Sequence, residues 1–231
     1  MSIKREFSRF ANEYDNYSII QKQVVKDLFD MLKFKPKKIL DIGCGRGGVC
    51  SAISWDYESF LAVDFSSKML ELHPNSPSIQ KIQADFNSSD FFDTLDKNSF
   101  DFVFSASALQ WADDIDEVIG SLKNLQKPLA LAIFTSGTFE SLHKCAGVKP
   151  LLKSADELEK IVQKHLNTKV QIKNYKLEFD STLKALRYIK KSGVNSTKEP
   201  LSYKEMKKLI ANYPLNYLEF EVVFVYYHPH L

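Results

Sequence analysis

Five short apolar runs punctuate the first 135 positions: 37–43 (KKILDIG), 59–64 (SFLAVD), 79–85 (IQKIQAD), 99–107 (SFDFVFSAS) and 128–135 (PLALAIFT). Each is too short for a helix and lacks helical periodicity, the mark of a strand buried on both faces. Segments of helical length separate them. Strand and helix therefore alternate, which predicts a parallel sheet with right-handed crossovers, helices on both faces, and ligands at the carboxyl ends of the strands.

After residue 150 the pattern changes. The stretch 154–166 (SADELEKIVQKHL) opens with Ser154 as a helix cap and Glu157 at the capping-box position. A long strand (168–180), two helical stretches around 183–191 and 202–212, and a last strand at 217–228 complete the chain. Seven strands in one α/β domain are the expected fold class.

With 44% hydrophobic and 26% charged residues over 231 positions, the composition is that of an ordinary soluble domain. No apolar run approaches the ~20 residues of a membrane span, and the first sixteen residues lack the apolar core of a signal peptide. The expected location is cytoplasmic, with no membrane partner. Cys44, Cys50 and Cys145 form neither an even disulfide set nor a Cys-x-x-Cys pair, and the histidines are scattered. The expectation is reduced structural thiols and no metal. Net charge is +2, but residues 1–139 carry 15 Lys+Arg against 19 Asp+Glu, while residues 140–231 carry 16 against 10. A basic half is either an ordinary solvated surface or a face for an acidic macromolecule.

The stretch ILDIGCGRGG, 39–48, holds four of the eight glycines. The spacing Gly43-x-Gly45-x-x-Gly48 satisfies the dinucleotide fingerprint, so an NAD-type oxidoreductase is the first reading. Asp41 argues against it: a carboxylate two residues before the first glycine repels a pyrophosphate and attracts an ammonium group. The run Asp41-x-Gly43-x-Gly45-x-Gly47 resembles motif I of class I S-adenosylmethionine methyltransferases, where the turn wraps the methionine part of the ligand. Asp64, 23 residues after Asp41, is placed for the ribose hydroxyls under either reading. Within the methyltransferase resemblance, Asp85 would accept from the adenine amine, with Phe86 against the ring. The implied fold is the class I Rossmann-like one, and the implied cofactor site comprises Asp41, Gly43, Cys44, Gly45, Arg46, Gly47, Asp64, Phe65, Met69, Asp85, Phe86, Ser105, Ala106 and Gln110. Trp111 belongs either to the core or to the floor beneath the sulfonium methyl.

Further blocks narrow the resemblance. The opening FSRFANEYDNYSIIQKQV, the ILDIGCGRG turn, SALQWADDIDEVI and the late LKALRYIKKSGVNST resemble the malonyl-acyl-carrier-protein O-methyltransferases, which open pimeloyl synthesis in the biotin pathway. They span residues 7 to 197. The chain departs from many such enzymes in carrying LQKPLALAIF where they have a Lys-Pro-Gly-Gly turn; we read this as a shortened connection. The resemblance implies an N-terminal helical lid (1–36), a cofactor-binding core (37–180), a helical cap (181–214) and the last strand (215–231). It implies transfer of a methyl group to the free carboxylate of a malonyl thioester. Such a carboxylate is ionised at neutral pH, so no general base is needed, and no Ser-His-Asp or Cys-His arrangement is evident in the sequence.

Alongside Trp111, Arg187 and Tyr14 are the candidate catalytic residues, Arg187 as a bidentate fork for the acceptor carboxylate and Tyr14 as part of the lid, with Gln21 beside it. Phe139 and His143, just after the fifth strand, read as an ordinary packing residue and a surface histidine, with a place facing the acceptor as the alternative. The lysines at 184, 190, 191, 198, 204, 207 and 208 would steer an acidic acyl carrier protein toward a monomeric enzyme. A trans-aconitate-type carboxyl methyltransferase and a non-catalytic assembly factor are the alternatives. The chain has no Asn-Pro-Pro-Tyr motif and no aromatic-interleaved basic tract, so nucleic acid is not an expected partner.

Overall fold

The computed structural model describes residues 18–88, 90–192 and 202–229. A seven-stranded sheet runs through it in the order β3-β2-β1-β4-β5-β7-β6. Its strands are β1 (Lys38–Ile42), β2 (Ser59–Asp64), β3 (Ile79–Gln83), β4 (Phe102–Ala106), β5 (Leu129–Phe134), β6 (Val170–Glu178) and β7 (Tyr217–Tyr227). The first five are parallel; β7 inserts antiparallel between β5 and β6. Strand order reverses direction beside β1, so the carboxyl end of β1, flanked by β2 and β4, is the topological switch point where such sheets bind ligands.

The two faces of the sheet separate by the parity of the strand residues. Ile39, Phe102, Phe104, Ala130, Ala132 and Phe134 pack on one side with α1 (Ile19–Asp30), through Ile20, Val24, Val25 and Leu28. Leu40, Ile42, Val103, Leu129, Leu131 and Ile133 pack on the other, under α4 (Ile115–Asn124) and α6 (Ala155–Leu166). These central strands are buried on both faces, hence the continuous apolar runs. Each fully buried Phe, Leu or Ile contributes about 1.5–3 kcal/mol relative to exposure.

Among the described residues the remaining helices are α2 (Gly48–Ala52) and α3 (Ser67–Leu72), both short, and, in the second half, α5 (Glu140–Ala146), α7 (Thr182–Ser192) and α8 (Tyr203–Asn212). Caps fix where several begin. Ser154 and Glu157 form the expected capping box of α6, and Ser202 with Glu205 does the same for α8. The turn between α4 and β5 needs a left-handed residue, and Gln126 supplies it at φ 56° without a glycine. Among the described residues no helix is long and apolar enough to cross a membrane.

Candidate active site

Beyond the carboxyl ends of β1 and β2, the chain turns through Gly43, Gly45 and Gly47, all at positive φ (72°, 54° and 84°). The turn hangs from β2: the amides of Gly43 and Cys44 both donate to the Val63 carbonyl, at 2.8 and 3.0 Å. At two positions a side chain is excluded by neighbours as well as by φ. A Cβ on Gly43 would lie 2.3 Å from that of Ala108, and one on Gly47 within 3 Å of His73 and Pro74. The wall formed by the end of α3 therefore touches the turn directly, a contact with no signal in the local sequence.

This turn borders a cleft of about 590 Å³, within the range of small-molecule sites. Asp41 stands at its base, 1% exposed, with neither carboxylate oxygen hydrogen-bonded among the described residues. Burial and the nearby Asp64 push its carboxyl well above the usual carboxylate range. Asp64 is held differently: one oxygen accepts from the Gly45 amide at 2.9 Å and the other from the Ser66 amide at 2.8 Å. Burial raises this carboxyl too, and the two amides oppose the shift. Its orientation is fixed, with acceptor capacity left on both oxygens for a pair of hydroxyls.

Of the residues expected at the cofactor, the cleft is lined by Asp41, Gly43, Cys44, Gly45, Arg46, Gly47, Asp64, Phe65, Met69, Phe86 and Ala106, with Trp111 on the same wall. Three others stand back. Ser105 is fully buried and its hydroxyl donates to the Ile42 carbonyl at 2.7 Å, between strands. Strand alternation puts it on the parity opposite to Asp41 and Phe104, and the next residues out, Ala106, Ser107 and Ala108, reach the cleft instead. Gln110 donates to the Ser107 carbonyl, and Asp85 accepts from the Asn87 amide at 3.1 Å without bordering the cleft. Arg187 lies on the exposed side of α7, outside the cleft lining. Tyr14 lies outside the described residues.

The expected set passed over most of the α1 contribution: Ser18, Lys22 and Val25 border the cleft beside Gln21. Gln21 is 8% exposed. Further along the same helix, Asp27 anchors it to the sheet edge, receiving the Tyr175 hydroxyl at 2.5 Å and Lys173 at 3.2 Å. His143 is a correction: it is 4% exposed, not a surface residue. Phe139, at φ 59°, turns α5 back onto β7, packing 5.0 Å from Phe220, and that carries His143 inward. Burial lowers the imidazole's proton affinity, partly opposed by Glu219. The cysteines are free thiols, and burial pushes Cys44 and Cys50 further from ionisation. Among the described residues no group of three or more His, Cys, Asp or Glu is arranged to hold a metal.

An unpaired buried carboxylate is costly, and an ammonium group entering above the glycine turn is the partner its chemistry calls for; the residues present fit an amino-acid nucleoside. Such a crevice on this seven-stranded sheet defines a class I S-adenosylmethionine-dependent methyltransferase. The family described as "Methyltransferase domain" matches residues 40–134, covering the glycine turn through β5. Among solved structures, the YcgJ protein of Bacillus subtilis superposes with a TM-score of 0.61 at 13% identity, covering 89% of this chain and 98% of that one. Phosphoethanolamine N-methyltransferase 2 of Haemonchus contortus, in complex with S-adenosyl-L-methionine, gives 0.60 at 16% identity over 99% of this chain and 60% of that one. These show the fold. Among curated relatives, malonyl-[acyl-carrier protein] O-methyltransferase 2 of Coxiella burnetii is 32% identical, covering 84% of this chain and 81% of its own. The corresponding protein of Buchnera aphidicola is 27% identical, over 93% and 91%. The chain belongs to the malonyl-[acyl-carrier protein] O-methyltransferase family.

Proposed function

We propose that the protein methylates the free carboxylate of a malonyl thioester, with an acyl carrier protein as the carrier and S-adenosylmethionine as the methyl donor. The donor reading is supported by Asp41, a buried carboxylate without a hydrogen-bond partner among the described residues, at the foot of the glycine turn. It would receive the donor's ammonium group, Asp64 its ribose hydroxyls, and Phe86 and Met69 would flank its base. Bound there, the donor supplies an electrophilic methyl group on a sulfonium.

The acceptor carboxylate arrives as an anion. A C–O bond forms as the C–S bond breaks, the electron pair stays on sulfur, and no proton changes hands. The protein's task is then alignment and exclusion of water. That suits a cleft walled by Ala106, Ala108 and Trp111, none of them a base. Arg187 is proposed to reach the carboxylate from α7, and Tyr14 to close the site from the N-terminal segment. The lysines of α7 and α8 would steer an acidic carrier to a monomeric enzyme.

Incubation with S-adenosylmethionine and, separately, the malonyl carrier protein, malonyl-CoA, trans-aconitate or no acceptor tests this. The malonyl carrier protein should gain one methyl group, removable by ester hydrolysis. Turnover of trans-aconitate alone would transfer the proposal to a small-molecule substrate, and no turnover with any acceptor would end it.

A further inference from the structure

On the side of α1 turned away from the sheet, lysines keep helical register. Ile20, Val24 and Leu28 are buried against the strands, while Lys22, Lys26, Phe29 and, just past the helix end, Lys33 recur at steps of four, three and four, which places them on one face. That face meets the segment after α2, Ala52 to Trp55, and between them lies an open basin of about 510 Å³. Its floor is aromatic and fixed. The Trp55 indole donates to the Pro36 carbonyl at 3.0 Å, and Phe29 packs against that ring in an edge contact at 5.1 Å. Phe34, 40% exposed, adds a further ring to the lining.

Charge and shape decide what such a surface fits. Lys22, Lys26, Lys33 and Lys35 are exposed around it. Among the described residues the only carboxylate on the lining is Asp30, which pairs with Lys26 at 3.1 Å; four lysines less one carboxylate leave a surplus of three positive charges. Like charges ringing exposed aromatic rings suit a partner that brings carboxylates around an apolar side chain. Small ligands are enclosed on most sides by their sites, whereas this basin lies open, as a protein-binding surface does. It also joins the cleft: Lys22 and Ala52 line both. A partner seated here therefore has the mouth of the cleft beside it, within reach of a group it carries on a tether.

We propose that this basin is the docking site of the acidic carrier protein. The inference rests on the proposed function and names the surface on which its carrier sits. The lysines of α7 and α8 act on the approaching carrier from a distance, and those of the α1 basin hold it once it has arrived.

The double variant Lys33→Glu/Lys35→Glu reverses two charges of the basin without touching the lining of the donor cleft. Its control, Lys123→Glu/Lys160→Glu, makes the same change of net charge on α4 and α6, across the sheet. Melting and S-adenosylhomocysteine binding should stay within twofold of the parent in both. The basin variant should raise KM for the malonyl carrier protein about tenfold with kcat unchanged, as expected when like charges meet across an interface, and the control should shift it less than twofold. In the parent chain, saturating carrier should shield Lys33 and Lys35 from an amine-acetylating reagent and leave Lys123 and Lys160 reactive. A parental KM in the basin variant, equal losses in the two variants, or no shielding of the basin lysines would overturn the assignment. Shielding by anionic lipid vesicles but not by the carrier would overturn it too, giving the basin to a membrane surface. If the parent fails to methylate the malonyl carrier protein at all, the proposed function fails and this falls with it, an outcome read from the parent alone.

Discussion

The two ends of the sheet solve different problems. At β1 and β2, a backbone turn stripped of side chains and two buried carboxylates form a site whose geometry is already set: Asp64 is locked by two amides and the turn hangs from Val63. Beyond β5, the chain builds with side chains on surface helices. Arg187 and Lys207 are exposed there, and the loop after β5 and the first turn of α5 are pinned to β7 by Glu221 on Thr135 and Glu219 on the Ser141 amide. A preorganised pocket suits a small ligand shared by many enzymes; an exposed cationic surface suits a large acceptor. Damage to the first end should abolish donor binding, and damage to the second should spare it.

The largest effect is expected from Gly43→Ala. Its Cβ meets Ala108 at 2.3 Å with φ at 72°, so the turn must move, and S-adenosylhomocysteine affinity should drop by roughly 100-fold or more, with a lower melting temperature. An affinity within threefold of the parent would show that the turn is not the donor site.

Asp41→Asn should cost about 30-fold in the same titration, the lower end of what is expected when a buried charge pair across a binding interface loses one partner, and should also change the response to pH. Because burial raises the Asp41 carboxyl, the folded protein holds a proton there that the unfolded chain releases near pH 4. Without ligand, that contribution to stability is complete below the unfolded value and is lost as pH rises through the folded one. An ammonium ligand favours the ionised form, so the melting-temperature gain given by S-adenosylhomocysteine should grow with pH across this window. In Asp41→Asn that growth should disappear; a gain with the same slope in both proteins would assign the titration elsewhere.

Arg187→Ala tests the second region. A tenfold rise in KM for the malonyl thioester, with donor affinity unchanged, is expected if the guanidinium reaches the carboxylate; parental kinetics would leave it a surface residue. The smallest effect belongs to the lysines. Raising salt from about 50 to 150 mM should lower kcat/KM for the carrier-linked substrate two- to fivefold while leaving that for malonyl-CoA less affected.

What could be read from sequence follows the same division. The strands and the glycine turn were legible because buried strands impose continuous apolar runs, and because a carboxylate at Asp41, inside one of those runs and beside the glycines, is too costly to bury without a cationic ligand. Which of Ser105, Ala106 and Ser107 faces the ligand was not, since the phase of alternation at a strand end depends on where the backbone leaves the sheet, here at the left-handed Ser107. The inward turn of His143 escaped for a similar reason: Phe139 adopts a positive φ that no residue preference announces. The α1 lining, Ser18 to Val25, is a tertiary contact between distant segments and leaves no local mark.

Titrating S-adenosylhomocysteine into the parent and into Asp41→Asn, at one pH in two buffers of different ionisation heat, isolates the pairing of an ammonium group with the buried carboxylate. Tight binding to the parent with proton release, and weakened binding without release in the variant, is the predicted result. Equal affinity in the two proteins, with no proton exchanged in either, would contradict an ammonium ligand at the buried carboxylate.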